Sequence, residues 1–137
     1  MKKFFIGIVG LLVITSVVYA TSYAQAKDRA YASAVILSAA GYNLKGMKGQ
    51  YLDSGEYKTY TSYLYSGNEY VVLGAGDNTV RDLDVQIYDN NWNLITSDSD
   101  TSNVSTVQFY PPHTGTYIIR TKMYSGHGYF FQMVGWK

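Results

Sequence analysis

The chain has 137 residues, with eleven Lys and Arg, ten Asp and Glu, two His and no cysteine. Without cysteine there is no disulfide, no thiolate metal site, no cysteine nucleophile and no lipidated cysteine anchor. The near balance of charge excludes the basic footprint that nucleic acid demands.

Residues 1–26 have the layout of a secretory signal peptide: basic MKK, the apolar run FFIGIVGLLVITSVVY, then TSYAQA, ending in the small-x-small pattern Ala24-Gln25-Ala26. The apolar run, about 16 residues, falls short of the roughly 20 that span a bilayer. Cleavage is therefore expected, after Ala26, with Ala20 as the alternative site and an uncleaved anchor as the competing reading. Export removes Lys2 and Lys3 and leaves about 111 residues, enough for one domain with a single core. Residues 27–40 (KDRAYASAVILSAA) are Ala-rich and followed by Gly41, which predicts a helix ending in a left-handed glycine. Tyr31, Val35, Ser38 and Ala39 share one side and Ala32, Ile36 and Ala40 the next. That gives a broad apolar face, expected to pack on the following domain or cover its edge. A rod continuing into the membrane, as in pilins, is disfavoured because the pilin processing site is missing.

From Gly46 the period changes to two. In YKTYTSYLY (57–65), Tyr60, Ser62 and Leu64 face one way and Tyr57, Thr59, Thr61, Tyr63 and Tyr65 the other. Ser66-Gly67-Asn68 turns the chain into EYVVLGA (69–75). Leu83, Val85 and Ile87 then alternate with Asp82, Asp84, Gln86 and Tyr88, the pattern of a half-buried strand with Gln86 exposed. Asp89-Asn90-Asn91 is a turn, and residues 93–97, 104–110, 116–123 and 129–136 are four more strands. The last two are joined through Ser125-Gly126-His127-Gly128. Short strands punctuated this way predict an all-β, antiparallel sandwich over residues 46–137, preceded by one short N-terminal α-helix at 27–41.

Within this frame RDLDVQIYDNNWNLITSDSD is similar to the D-L-D-(apolar)-x-(apolar)-x-D-x-x-G signature of bacterial pre-peptidase C-terminal domains. PPHTGTYIIRTKMYSGHGYFFQMV resembles that family's P-x-x-(T/S)-G-x-Y strand and closing hairpin, and Gly67–Tyr70 resembles its G-x-x-Y entry. The resemblance covers residues 46–136 and implies a jelly-roll-like β-sandwich, of the kind attached behind secreted proteases and other exported enzymes. It also implies kinship with collagenase modules that bind calcium and fibrous protein. In this chain Trp92 stands near the turn where the family has glycine. The N-terminal segment, from which the collagen-binding relatives donate acidic ligands, offers only Asp28.

Three groups of side chains invite a chemical reading. His113 and His127 lie in turns near opposite ends of the Tyr117 strand. No G-x-S-x-G elbow accompanies them, so no catalytic residue is assigned. Asp77, Asp82 and Asp84 form a candidate calcium set, followed by Asp98 and Asp100. Calcium needs six to eight oxygens, however, and two strand residues on one face lie about 7 Å apart. The alternative is that Asp82 caps the loop and Asp84 faces water. Finally, fifteen tyrosines are a heavy load, and Tyr57, Tyr63 and Tyr65 on one face form a candidate ligand-binding array. Flat aromatic side chains bind sugars or proteins at low entropy cost; cross-strand stabilisation of the sheet is the competing explanation. The sequence is thus read as a secreted or periplasmic, non-catalytic module for a protein or polysaccharide ligand. A structural subunit of an extracellular assembly ranks second and a hydrolase third.

Overall fold

The computed structural model describes residues 22–98 and 100–137, together with the backbone but not the side chain of Met47. The basic and apolar parts of the expected leader lie outside the described residues. A helix, α1 (22–39), precedes eight strands: β1 (Asn43–Leu52), β2 (Tyr57–Leu64), β3 (Tyr70–Gly76), β4 (Val80–Asp89), β5 (Leu94–Ser97), β6 (Val104–Phe109), β7 (Gly115–Gly126) and β8 (Gly128–Trp136). They form two four-stranded antiparallel sheets, in the orders β1-β8-β3-β6 and β2-β7-β4-β5. Successive strands thus alternate largely between the sheets, as in a jelly roll, and the expected all-β sandwich with one N-terminal helix is what the chain forms.

Alternation in the strands decides what lies between the sheets. Leu83, Val85 and Ile87 are fully buried. They meet Leu64, Val72, Ile119, Phe109 and Tyr117 toward one end, and Leu52, Met123 and Phe130 toward the other. Gln86, expected to be exposed, is half-buried, because its Oε1 accepts a 2.8 Å hydrogen bond from Arg120 Nε across the β4–β7 pair. The Tyr117 hydroxyl donates to the His113 carbonyl at 2.6 Å, tying down the turn before β7.

Strand β1 did not show in the sequence, and its geometry explains why. Its pairing with β8 shifts register between Lys45 and Lys48, where Gly46 has φ +78°. This bulge breaks the two-residue period that would have revealed the strand.

The helix differs more. It is already formed at residue 22, five residues before its expected start, and ends as foreseen at Gly41, φ +95°. There the Tyr42 N–H bonds the Leu37 carbonyl at 3.1 Å and the Gly41 N–H the Ser38 carbonyl at 3.0 Å, a Schellman closure. The face that packs is Ala26, Ala30, Ala34 and Leu37, laid over Leu73, Ala75, Phe131 and Met133 on the outside of the first sheet. The face expected to pack is the exposed one: Tyr31, Val35 and Ile36 point to solvent. Small alanines win because they let the helix axis approach the sheet, whereas β-branched and aromatic side chains would hold it off. Tyr23 extends the contact, its ring edge-on to Tyr129 and Phe131 at centroid distances of 5.4 and 5.1 Å. Gly49 makes room, since a Cβ there would stand 2.7 Å from Phe131 and 2.9 Å from Tyr23.

Candidate functional site

The three tyrosines expected to act together are all exposed, Tyr57 at 55%, Tyr63 at 59% and Tyr65 at 55%. The fold divides them. Tyr57 and Tyr63 stand at opposite ends of β2, about 20 Å apart at six strand residues.

Tyr57 belongs to a group on the outer face of the second sheet. Register places Arg120 opposite both Thr59 and Gln86. Its guanidinium lies 5.1 Å from the Tyr57 ring centre and 5.1 Å from that of Tyr88. It also donates to the Tyr88 hydroxyl at 2.6 Å. Tyr88 in turn contacts Trp92 at 5.4 Å. Trp92 has φ +64° and is the one non-glycine residue with positive φ among those described. It has taken a left-handed conformation that glycine adopts more readily, at some cost in backbone strain. Asp89 holds this turn by accepting from the Asn91 and Asn93 N–H groups at 2.8 and 2.9 Å and from the Asn93 side chain at 2.8 Å. Those bonds, the Asn93 side chain first, lower its pKa. Arg120 and Tyr88 were missed as a group because each was read within its own strand; only the register joins them.

Tyr63 and Tyr65 pack edge to face at 5.3 Å and border a groove. It runs along the side of the sandwich where β1, an edge of the first sheet, faces β2, an edge of the second. One lobe, about 210 Å³, has Tyr63, Tyr65, Asn68 and Trp136 on its walls. The other, about 370 Å³, is lined by Lys48, Gln50, Tyr60 and Gln132. Lys45, Ser62 and Val134 belong to both, so the two lobes are continuous. Tyr70 fixes the aromatic end from below: its buried hydroxyl accepts from the Tyr65 N–H at 3.0 Å and from the Asn68 amide at 3.3 Å. In the larger lobe Gln132 Nε2 donates to Thr121 Oγ1 at 2.7 Å. Gln50 Oε1 is buried with no hydrogen-bond partner among the described residues. Burial pushes the Tyr60 phenol above its ordinary range, so it stays neutral.

The acidic set also separates. Asp77 is fully buried and accepts from the Thr79 N–H at 2.8 Å, from the Thr79 hydroxyl and from the Tyr129 N–H at 3.0 Å. It thereby performs the loop capping that the structural alternative assigned to Asp82, and it ties the β3–β4 loop to β8. Gly128 has to be glycine here, because a Cβ would sit 2.6 Å from the Asp77 carboxylate. Asp82 and Asp84 lie on β4; Asp82 Oδ1 is buried without a hydrogen-bond partner among the described residues. Among the described residues no three His, Asp or Glu side chains are grouped to hold a metal ion.

Asp84 has its pKa raised from 3.8 to about 6, by burial first, then by the hydrogen bond and charge of Asp82 and the charge of Asp98, with Lys122 opposing. The native state therefore keeps a proton that the unfolded chain has released. The stability Asp84 contributes is full below its ordinary pKa and is lost as pH rises through about 6. Asp84→Asn is expected to raise Tm at neutral pH and to flatten the fall in stability over that interval. Thermal melts of both proteins at stepped pH measure it, and parallel curves would contradict it.

Of the histidines, the His127 Nδ1 lies 3.3 Å from the Tyr51 hydroxyl, while His113 engages Tyr117 through its backbone. Both sit in the turns where the sequence put them.

The chain matches no protein-family profile and no curated protein. Among solved structures it is similar to the pre-peptidase C-terminal domain of collagenase from Bacillus anthracis (16% identity, 64% of this chain and 86% of that one, TM-score 0.52). It is also similar to the Yersinia pseudotuberculosis-derived mitogen (12%, 68% and 85%, TM-score 0.55). A third is a periplasmic inhibitor of g-type lysozyme from Aeromonas hydrophila (12%, 72% and 88%, TM-score 0.50). At such identities the likeness is one of fold, a β-sandwich that the chain shares with the pre-peptidase C-terminal domain, whose motifs the sequence resembles.

Proposed function

We propose that this chain is an exported, non-catalytic binding module that takes an extracellular polysaccharide or protein at its Tyr63–Tyr65 end. The observation that carries this reading is the groove between the sheet edges, bordered by two exposed tyrosines that pack on each other, with the Tyr65 backbone N–H held by the Tyr70 hydroxyl. Concave sites with aromatic walls and a few fixed polar groups are where ligands are held, and rings there cost little entropy to order. Export is supported by the leader-like N-terminus. Among the described residues no helix is long and apolar enough to cross a membrane. That one neighbour in fold is a periplasmic lysozyme inhibitor is consistent with such a role.

The test is retention of native extracellular material by the immobilised protein. Losing an aromatic anchor at an interface can cost upward of about 2 kcal/mol, roughly thirtyfold in affinity. Tyr63→Ser/Tyr65→Ser is expected to lose that material with its fold intact, while Tyr57→Ser keeps it. Loss with Tyr57→Ser alone would move the site to the Arg120 face.

A second reading, self-assembly, rests on Tyr31, Val35 and Ile36, which form an exposed apolar stripe on α1. Light scattering across a concentration series separates the two, since a constant monomer mass excludes assembly.

A further inference from the structure

We infer that the groove between β1 and β2 binds an extended acidic polysaccharide, a class that deepens the binding-module reading and rests on it. Three features converge on this chemistry.

The first is the pair Lys45 and Lys48, both exposed, which line the groove. Among the described residues no hydrogen bond or ion pair engages either ammonium. No acidic side chain lines either lobe. The groove therefore carries local positive charge on a nearly neutral molecule, and that favours an anion.

The second is Gln50, which lines the groove and whose Oε1 is buried without a partner among the described residues. A buried acceptor left unpaired is costly; because the oxygen is closed to solvent, it meets a ligand hydroxyl only when the Gln50 side chain turns outward into the groove. Ser62 and Gln132 add further groups suited to hydroxyls. A sugar ring supplies hydroxyls and, in its uronic form, a carboxylate.

The third is the shape of the site. The two lobes run on from one another, and the aromatic end is walled by Tyr63, Tyr65 and Trp136. A pyranose presents an apolar face to such rings while its edges reach polar groups. A chain of sugars can fill both lobes at once.

A peptide strand is the natural competitor, because an unpaired sheet edge invites strand addition. Of the two edges along the groove, β2 is regular and β1 is interrupted, so a strand could not pair with both. The bulge between Lys45 and Lys48, with Gly46 at φ +78°, breaks the regular spacing of donors and acceptors in the middle of β1.

The experiment is affinity electrophoresis of the exported protein through gels containing polygalacturonate, its carboxyl-reduced neutral form or poly-L-glutamate. Polygalacturonate is expected to retard the protein, the neutral polymer at least tenfold less, and poly-L-glutamate not at all. Lys45→Gln/Lys48→Gln should weaken retardation at least tenfold, and Gln50→Leu severalfold, with unchanged melting curves. If Gln50→Leu lowers the melting temperature, the lysine pair, which is on the surface, decides the matter. Equal retardation by the neutral polymer overturns the ionic component, and equal retardation by poly-L-glutamate reduces the groove to a general polyanion site. Should polygalacturonate leave the protein unretarded while Tyr63→Ser/Tyr65→Ser still abolishes capture of native material, the ligand class is wrong and the module reading stands. If that capture is also unaffected, both fall.

Discussion

Replacing Asp77 by Ala is expected to destabilise the protein by about 3–5 kcal/mol, because one fully buried side chain loses three hydrogen bonds at once. The Thr79 and Tyr129 N–H groups lose their acceptor, and the Thr79 hydroxyl, which also lies 2.5 Å from the His127 carbonyl, loses one of its two. The β3–β4 loop would then no longer be tied to the start of β8. In a domain of this size the fall in Tm should exceed about 10 °C. The wild-type Tm should stay the same when millimolar calcium is replaced by chelator, because the Asp77 carboxylate is already committed to protein donors. A calcium-dependent rise in Tm that Asp77→Ala abolishes would restore the metal reading of Asp77, Asp82 and Asp84.

The second large effect concerns the N-terminus. A chain beginning at Lys27 is expected to be about 2–4 kcal/mol less stable than one beginning at Thr21. It lacks the Tyr23 contacts with Tyr129 and Phe131, worth about 1 kcal/mol each. It also lacks the 2.7 Å bond from the Asn78 N–H to Gln25 Oε1 and the buried Ala26, each worth roughly 1 kcal/mol. Export with cleavage after Ala20 preserves these contacts, and cleavage after Ala26 discards them. The intact mass of exported protein is therefore expected to correspond to a start at Thr21. A start at Lys27 with an undiminished melting temperature would mean that the first turns of α1 contribute nothing to the mature domain.

Much of the sandwich could be read in advance because strands covered on one face only write their burial into a two-residue alternation. Leu83, Val85 and Ile87 are the plainest case, and the turns at Gly67 and Gly126 fell where the sequence put them. The misses share a physical cause. Strand β1 carries a bulge that erases its period, and α1 packs through alanines, whose small size makes a buried face look no more apolar than its neighbours. At the candidate site, exposure of Tyr57, Tyr63 and Tyr65 was legible. Their division was legible too, since six strand residues alone place Tyr57 about 20 Å from Tyr63. The sequence could not disclose the groove. It is made by two sheet edges that meet only in the folded chain, and Gln50 and Trp136 enter it from strands far apart in sequence.

The central claim is that ligand lies between the two sheet edges and not on the open face of the second sheet. Hydroxyl-radical footprinting of the protein, with and without the extracellular material it retains, tests this directly, because both regions carry reactive aromatic side chains. Protection of Tyr63, Tyr65 and Trp136 is expected, with Tyr57, Tyr88 and Trp92 oxidised as in the unbound protein. Protection of Tyr57, Tyr88 and Trp92 with Tyr63 and Tyr65 unchanged would contradict it.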